Sequence, residues 1–196
     1  AIALGKAQNM PKDNIERAIK KSYDENGENY ESVRYEGFGI EGVGLIVETL
    51  TDNRNRTAGD IRSVFSKHGG NLGETGSVSF MFNHLGIVKF PKSAGNFDDI
   101  FEIATDAGAL DCDLIEDEYE ISCSTDDLHQ VAENIEKKLS CDITSQLTWK
   151  PSNQIPLNKE KAIKVIEMIE VLEDHDDVQE VFANFDLPDE VLNELQ

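Results

Sequence analysis

The sequence predicts an α+β protein: a helical N-terminal remnant and two α+β domains of the ferredoxin-like βαβ type, one inserted into the other. Three observations predict it. Apolar residues recur at every second position in some stretches and at every third or fourth in others, and the two periods alternate along the chain. Residues 86–150 read as strand, helix, strand, strand, helix, strand, the order of the split βαβ motif. The segments on either side are a β-α-β stretch and a lone helix and strand, and neither can bury its apolar face without the other.

Taken in order, Pro11 stands where a first helical turn would begin, and Ile15, Ala18 and Ile19 then share one face. Residues 12–22 therefore read as a helix with a basic outer face. Residues 24–31 are polar, contain Asn26-Gly27 and read as a linker. Residues 33–38 and 43–50 are strand-like runs about the turn Gly39-Ile40-Glu41-Gly42, a hairpin pattern. The next helix is expected over 58–68, with Thr57 as N-cap, Asp60 three residues on, and Ile61, Val64 and Phe65 as its buried stripe. Gly69-Gly70 ends it, and residues 78–82 read as a strand.

Inside 86–150 the expected strands are 86–90, 110–115, 119–123 and 143–149. The helix over 97–107 should turn Ile100, Phe101 and Ala104 inward, and that over 126–139 should bury Leu128, Val131, Ala132 and Ile135, capped by Ser124 with Asp127. After Pro151 and Pro156 come a helix over 159–173, with Ala162, Val165, Ile166, Ile169 and Leu172 inward, and a strand over 178–185. The domain reading is then 1–31 as helical remnant and linker, 32–84 plus 155–196 as a discontinuous α+β domain, and 85–154 as the insert.

The composition is that of a globular chain, with 29% charged and 39% hydrophobic residues, and no apolar run approaches the roughly 18 residues of a membrane span. Cys112, Cys123 and Cys141 are odd in number and show no Cys-x-x-Cys spacing, which points to a reduced, cytoplasmic setting. Net charge is −21, unevenly spread: residues 1–22 set five basic residues against Asp13 and Glu16, leaving −24 on the rest. Such a body repels polyanions at long range, so nucleic-acid binding would be confined to local patches.

No catalytic constellation is legible. His68, His84, His129 and His175 fall on different elements without zinc-type spacing, and glycines 69, 70, 73 and 76 match no nucleotide-binding motif. The acidic run 173–177 lacks the ligand spacing of a calcium loop and reads as a solvated turn. No enzyme, metal or cofactor is expected. The strongest candidate site is Arg54, Arg56, Arg62 and Lys67, at and along a helix start, where unpaired N–H groups also favour anions. The same arginines could equally form a turn that pairs with nearby carboxylates. Lys12, Arg17, Lys20 and Lys21 form a second, less specific basic face. Phe80 and Phe82 share one side of their expected strand, as a stacking platform for RNA bases would, although such pairs are more often core.

The stretch from Gly37-Phe38-Gly39 through Asp52-Asn53-Arg54-Asn55-Arg56-Thr57 to Gly76-Ser77-Val78 closely resembles the YebC/PmpR family. So do Asn9-Met10-Pro11-Lys12-Asp13-Asn14-Ile15 before it and Trp149-Lys150-Pro151 and Asp177-Val178-Gln179 after it. The resemblance spans the whole chain. It implies a three-domain protein with one domain inserted into another, and a basic helical N-terminal segment inside which this chain begins. It also implies regulation of gene expression, traditionally as DNA-binding transcriptional control. The family's mitochondrial translational activators of cytochrome oxidase imply an alternative, a ribosome-associated translation factor that binds RNA. A protein-interaction or ligand-sensing module is a third reading, because ferredoxin-like domains often serve that role. Oligomeric state and target sequence are not legible.

Overall fold

A computed structural model describes residues 30–139 and 141–188. The helix expected over 12–22, with Lys12, Arg17, Lys20 and Lys21, lies outside the described residues. The fold is α+β. Its first elements are β1 (Glu31–Phe38), β2 (Gly44–Thr51), α1 (Arg54–Lys67), β3 (Asn71–Leu72), β4 (Phe82–Pro91), α2 (Phe97–Ala107) and β5 (Asp111–Ile115). There follow β6 (Glu118–Ser124), α3 (Leu128–Lys138), β7 (Thr144–Pro151), β8 (Ile155–Pro156), α4 (Lys159–Glu173), β9 (Val178–Ala183) and β10 (Phe185–Asp186). They fall into two compact units, residues 30–83 with 149–188 in one and His84–Thr148 in the other.

In the first unit a four-stranded sheet runs β3-β1-β2-β9. β1 and β2 form the expected antiparallel hairpin, with Glu31 opposite Thr51 and Phe38 opposite Gly44. Its turn needs two left-handed residues, Glu41 at φ 56° and Gly42 at φ 78°. On one face α1 and α4 cover the sheet, joining Val33, Tyr35, Leu45, Val47, Ile61 and Phe65 to Leu157, Ala162, Val165, Met168 and Leu172 in a single core. Gly37 makes the close packing possible: a Cβ there would sit 2.5 Å from the Phe65 ring and 2.7 Å from the Asn71 carbonyl oxygen. The other face carries Ile46, packed with Val78, Phe82 and Trp149.

In the second unit the series β4-α2-β5-β6-α3-β7 forms a sheet in the order β5-β6-β4-β7, with β6 antiparallel to both neighbours of known register. Val88, Phe90, Tyr119 and Ile121 from the strands meet Ile100, Ala104, Val131 and Ile135 from the helices. Cys112 and Cys123 are buried in this core and Cys141 is partly exposed. Burial, and then neighbouring aspartates, push all three thiols up. Because the thiolate is the reacting form, native-state alkylation should be slow at Cys112 and Cys123 and fastest at Cys141, as read by mass spectrometry of peptides. Fast labelling at Cys123 would contradict this packing.

Several local expectations are corrected. α1 starts at Arg54, not Ala58: Asn53 is the N-cap, its side chain accepting from the Arg56 amide at 3.2 Å, and Thr57 is buried in the first turn. Residues 78–81 are not strand. The Val78 and Ser79 amides donate to the Glu36 carboxylate at 2.9 Å each, so they are diverted from a ladder into a 3-10 turn. One strand, β4, then begins at Phe82 and runs through the segment expected as a separate strand. Phe80 consequently stands 73% exposed while Phe82 is buried, so the two do not form a pair. Phe101 faces solvent rather than core, and Met168 takes the deep position in α4, with Ile166 and Ile169 at its edges. The strand over 178–185 is broken at Asn184, whose side-chain oxygen accepts from the Gly44 amide at 2.7 Å.

Glu36 is 1% exposed and still ionised more readily than usual. Burial pushes its pKa up, but amides of Val78, Gly76 and Ser79 outweigh this and bring it below the ordinary carboxylate value.

Candidate nucleic-acid interface

The apolar stripe of α1, Thr57, Ile61 and Phe65, seats the helix on the sheet and thereby fixes where its arginines go. Arg54 and Arg62 line one cleft of about 330 Å³, and Arg34 of β1 lines it with them. Glu74 and Thr75, in the loop after β3, and Glu36 of β1 also line it. The Arg54 carbonyl oxygen accepts from the Tyr35 hydroxyl at 3.1 Å, which ties the first turn of α1 to β1. Arg34 is held twice over. Its Nε donates to Glu48 Oε1 at 2.8 Å, and its guanidinium carbon lies 4.3 Å from the centroid of the Trp149 ring. Trp149 Nε1 donates to the same Glu48 oxygen at 3.0 Å, so one carboxylate orients both the cation and the ring beneath it.

Arg56 and Lys67 are placed elsewhere. Arg56 Nη2 lies 2.8 Å from Asp52 Oδ1 and 3.0 Å from Asp177 Oδ2, and these carboxylates raise its pKa further above its already high value. Lys67 is in the last turn of α1, about 20 Å along the axis from Arg54 at 1.5 Å per residue. The four residues expected as one patch therefore divide into two on the cleft, one ion-paired, and one at the far end of the helix.

The N-terminus of α1 is also already supplied with acceptors. Asn53 takes the Arg56 amide, the Asn53 amide donates to Thr51 Oγ1 at 2.9 Å, and Asp177 Oδ2 accepts from Thr57 Oγ1 at 2.6 Å and Thr51 Oγ1 at 3.2 Å. Asp177, expected in a solvated turn, is 6% exposed and forms the centre of this network. The Thr57 hydroxyl first, and then Arg56 and Thr51, lower its pKa against the effect of burial. Two histidines serve the same framework: His68 Nδ1 is 2.8 Å from the Val64 carbonyl oxygen, and His175 Nε2 is 3.4 Å from Asp60. Among the described residues no group of histidine, cysteine and carboxylate side chains could hold a metal ion.

Arg34 was missed as a site residue, yet a signal for it existed. A hairpin turning at 39–42 places residue 34 opposite residue 48, and Arg opposite Glu is a favourable cross-strand pair. Asp177 was marked only by the Asp177-Val178-Gln179 resemblance and by no local pairing signal, because its partners lie some 120 residues away in sequence.

Fold and site together define an α+β protein with a cleft lined by Arg34, Arg54, Arg62, Glu36 and Glu74, in a chain of net charge −21. Residues 30–185 match the family described as TACO1/YebC second and third domain, and the chain belongs to that family of gene-expression regulators. It is also similar to a crystal structure of a conserved hypothetical protein from Aquifex aeolicus, at 43% sequence identity and a TM-score of 0.84. That match covers 96% of this chain and 78% of the other. No helix among the described residues is long and apolar enough to cross a membrane.

Proposed function

We propose that this chain regulates gene expression by binding nucleic-acid phosphate in the cleft of Arg34, Arg54 and Arg62. One observation carries the reading: in a chain of net charge −21, Arg54 and Arg62 of α1 line a single cleft with Arg34 of β1, alongside Glu36 and Glu74. The Arg34 guanidinium is held over Trp149 on the other face of the sheet. Planar guanidinium groups suit phosphate oxygens two at a time, and a ligand that binds there escapes the repulsion of the acidic remainder only locally. The basic residues Lys12, Arg17, Lys20 and Lys21 supply a second contact region in the same proposal.

Duplex DNA, the family's traditional target, and RNA in a nucleoprotein such as the ribosome both offer phosphates. The geometry favours RNA. The outward face of α1 presents Asn55, Gly59, Asp60, Ser63 and Ser66 beside Arg56, Arg62 and Lys67. Arg56 is held by Asp52 and Asp177 and Arg62 lines the cleft, whereas a helix entering a major groove would offer its cations to the two flanking backbones. A concave arginine cleft instead suits an irregular or unpaired strand.

The test is fluorescence anisotropy with an RNA hairpin, a single-stranded RNA and a DNA duplex of equal length over a salt series. Replacing Arg54 and Arg62 by Gln should weaken RNA binding across sequences and flatten the log–log salt slope by about one to two units. Arg56→Gln should lower the melting temperature and leave the slope unchanged. An unchanged slope in the Arg54/Arg62 variant would retire the cleft as a phosphate site, and tighter binding of the duplex than of either RNA would restore the DNA reading.

A further inference from the structure

We propose that the α2–β5 edge of the unit His84–Thr148 is a docking surface for a basic segment of a partner protein that presents an apolar anchor. Phe97 and Phe101 stand one turn apart on α2 and stack with ring centroids 6.1 Å apart, yet they are 42% and 50% exposed. Phe97 also leans on Tyr119, 6.4 Å between centroids, and Leu114 of β5, 37% exposed, stands opposite Tyr119 in the strand register. Phe97 and Leu114 thus border one buried ring, and Phe101 extends the apolar cluster by stacking on Phe97. β5 is the outer strand of its sheet. Clustered exposed aromatics of this kind mark contact surfaces, whereas scattered single ones do not.

Charge selects the occupant. From Ser93 to Tyr119 the chain carries nine carboxylate residues and no basic one. Asp98 and Glu102 follow the two phenylalanines directly on α2, whereas Asp111 and Asp113 of β5 alternate with Cys112 and Leu114 and so lie on the other face of the sheet. Lys138 pairs with Asp106 at 2.8 Å and Lys92, just before this stretch, approaches Asp117 at 4.0 Å, which leaves Asp98 and Glu102 beside the phenylalanine pair. An aromatic centre with an acidic rim repels phosphate and repels a second copy of this acidic chain. It complements a lysine- or arginine-rich segment whose leucine, isoleucine or methionine side chains cover the rings. None of the cleft residues belongs to this unit, so this proposal and the nucleic-acid reading can fail independently.

The experiment titrates the full chain with a synthetic peptide of roughly 18 residues, lysine except for leucines at i, i+4 and i+7. Binding is followed by calorimetry and by backbone amide shifts. Shifts centred on residues 97–118 are expected. The variant F97S/F101S should bind at least about tenfold more weakly with an unchanged melting temperature, as should the wild type with a leucine-to-serine peptide. D98N/E102Q should weaken binding a few-fold and reduce its salt dependence. If F97S/F101S fails to fold, D98N/E102Q and the serine peptide carry the test alone. Equal affinity for the leucine and serine peptides would reduce the effect to diffuse charge attraction and overturn the proposal. So would a dimer in sedimentation that F97S/F101S dissociates, which would make the occupant a second copy. An affinity gain of about tenfold on removing residues 1–22 would also overturn it, since the occupant would then be the chain's own basic segment.

Discussion

A chain ending after Asn153 is expected to lose cooperative unfolding of residues 30–83, while an excised fragment of residues 84–151 keeps it. The reason lies in who supplies each core. Leu157, Ala162, Val165, Met168 and Leu172 are five of the twelve buried residues in the core beneath the β3-β1-β2-β9 sheet. Four of them are large, and burying each contributes about 1.5–3 kcal/mol. Their loss removes roughly 6–12 kcal/mol from a domain whose whole stability is of order 5–15 kcal/mol. The same truncation strips β9 from the edge of β2. The fragment 84–151, by contrast, contains every buried residue of its own core, from Val88 to Leu139. Thermal unfolding followed by circular dichroism checks both halves. A folded C-terminal truncation together with an unfolded excised fragment would refute the insertion of one domain in the other.

Asp177→Asn is expected to destabilise the protein by about 1–3 kcal/mol at neutral pH, the cost of leaving buried donors poorly matched. The carboxylate receives the Thr51 and Thr57 hydroxyls and the Arg56 guanidinium, joining the end of β2, the first turn of α1 and the start of β9. Those donors hold its folded pKa below the unfolded value, so its stabilising effect is complete above about pH 4 and disappears as pH falls through the lower folded pKa. The gap between wild type and variant should therefore be widest at neutral pH and close in acid. Glu36, lowered in the same direction, remains in both chains, so the variant should still unfold in acid. A gap that persists unchanged at pH 2–3 would mean that Asp177 acts through shape and not charge.

Glu180 provides a contrast within the same sheet. It is exposed and stands opposite Glu48 in register, and partial desolvation, followed by Glu48 and Glu173, raises its pKa. A carboxylate of this kind, screened by solvent, weakens the fold only slightly at neutral pH and does so less as pH falls through its raised folded pKa.

The periodic elements were legible because their cause is local. Helices α2 and α4 begin and end where the sequence indicates, since Asn96 and Asn158 cap them and their apolar stripes repeat at helical spacing. The β1–β2 hairpin was legible for the same reason, its register following from the turn at Ile40–Gly42. Where a residue's partner is distant in sequence, the local signal pointed wrongly. Thr57 has the look of an N-cap, but its hydroxyl is held by Asp177, and Asn53 takes the capping role instead. Val78 and Phe80 alternate like strand residues, but Glu36 draws the amides of Val78 and Ser79 out of any ladder.

The candidate site divides along the same line. Composition and the Asn-Arg-Asn-Arg sequence alone determined that cationic residues gather near the start of α1 in an acidic chain, because charge and helix spacing are properties of neighbours. Only the tertiary structure decided which of them share a cleft. The β1–β2 pairing sets Arg34 of β1 in the cleft lining with Arg54 and Arg62, while Glu48 and the Trp149 ring hold its guanidinium on the other face of the sheet. Arg56 is withdrawn because Asp177 arrives from the far end of the chain. An ion pair or a cleft depends on distances of a few ångströms, and for residues more than a hundred positions apart those distances exist only once the chain has folded.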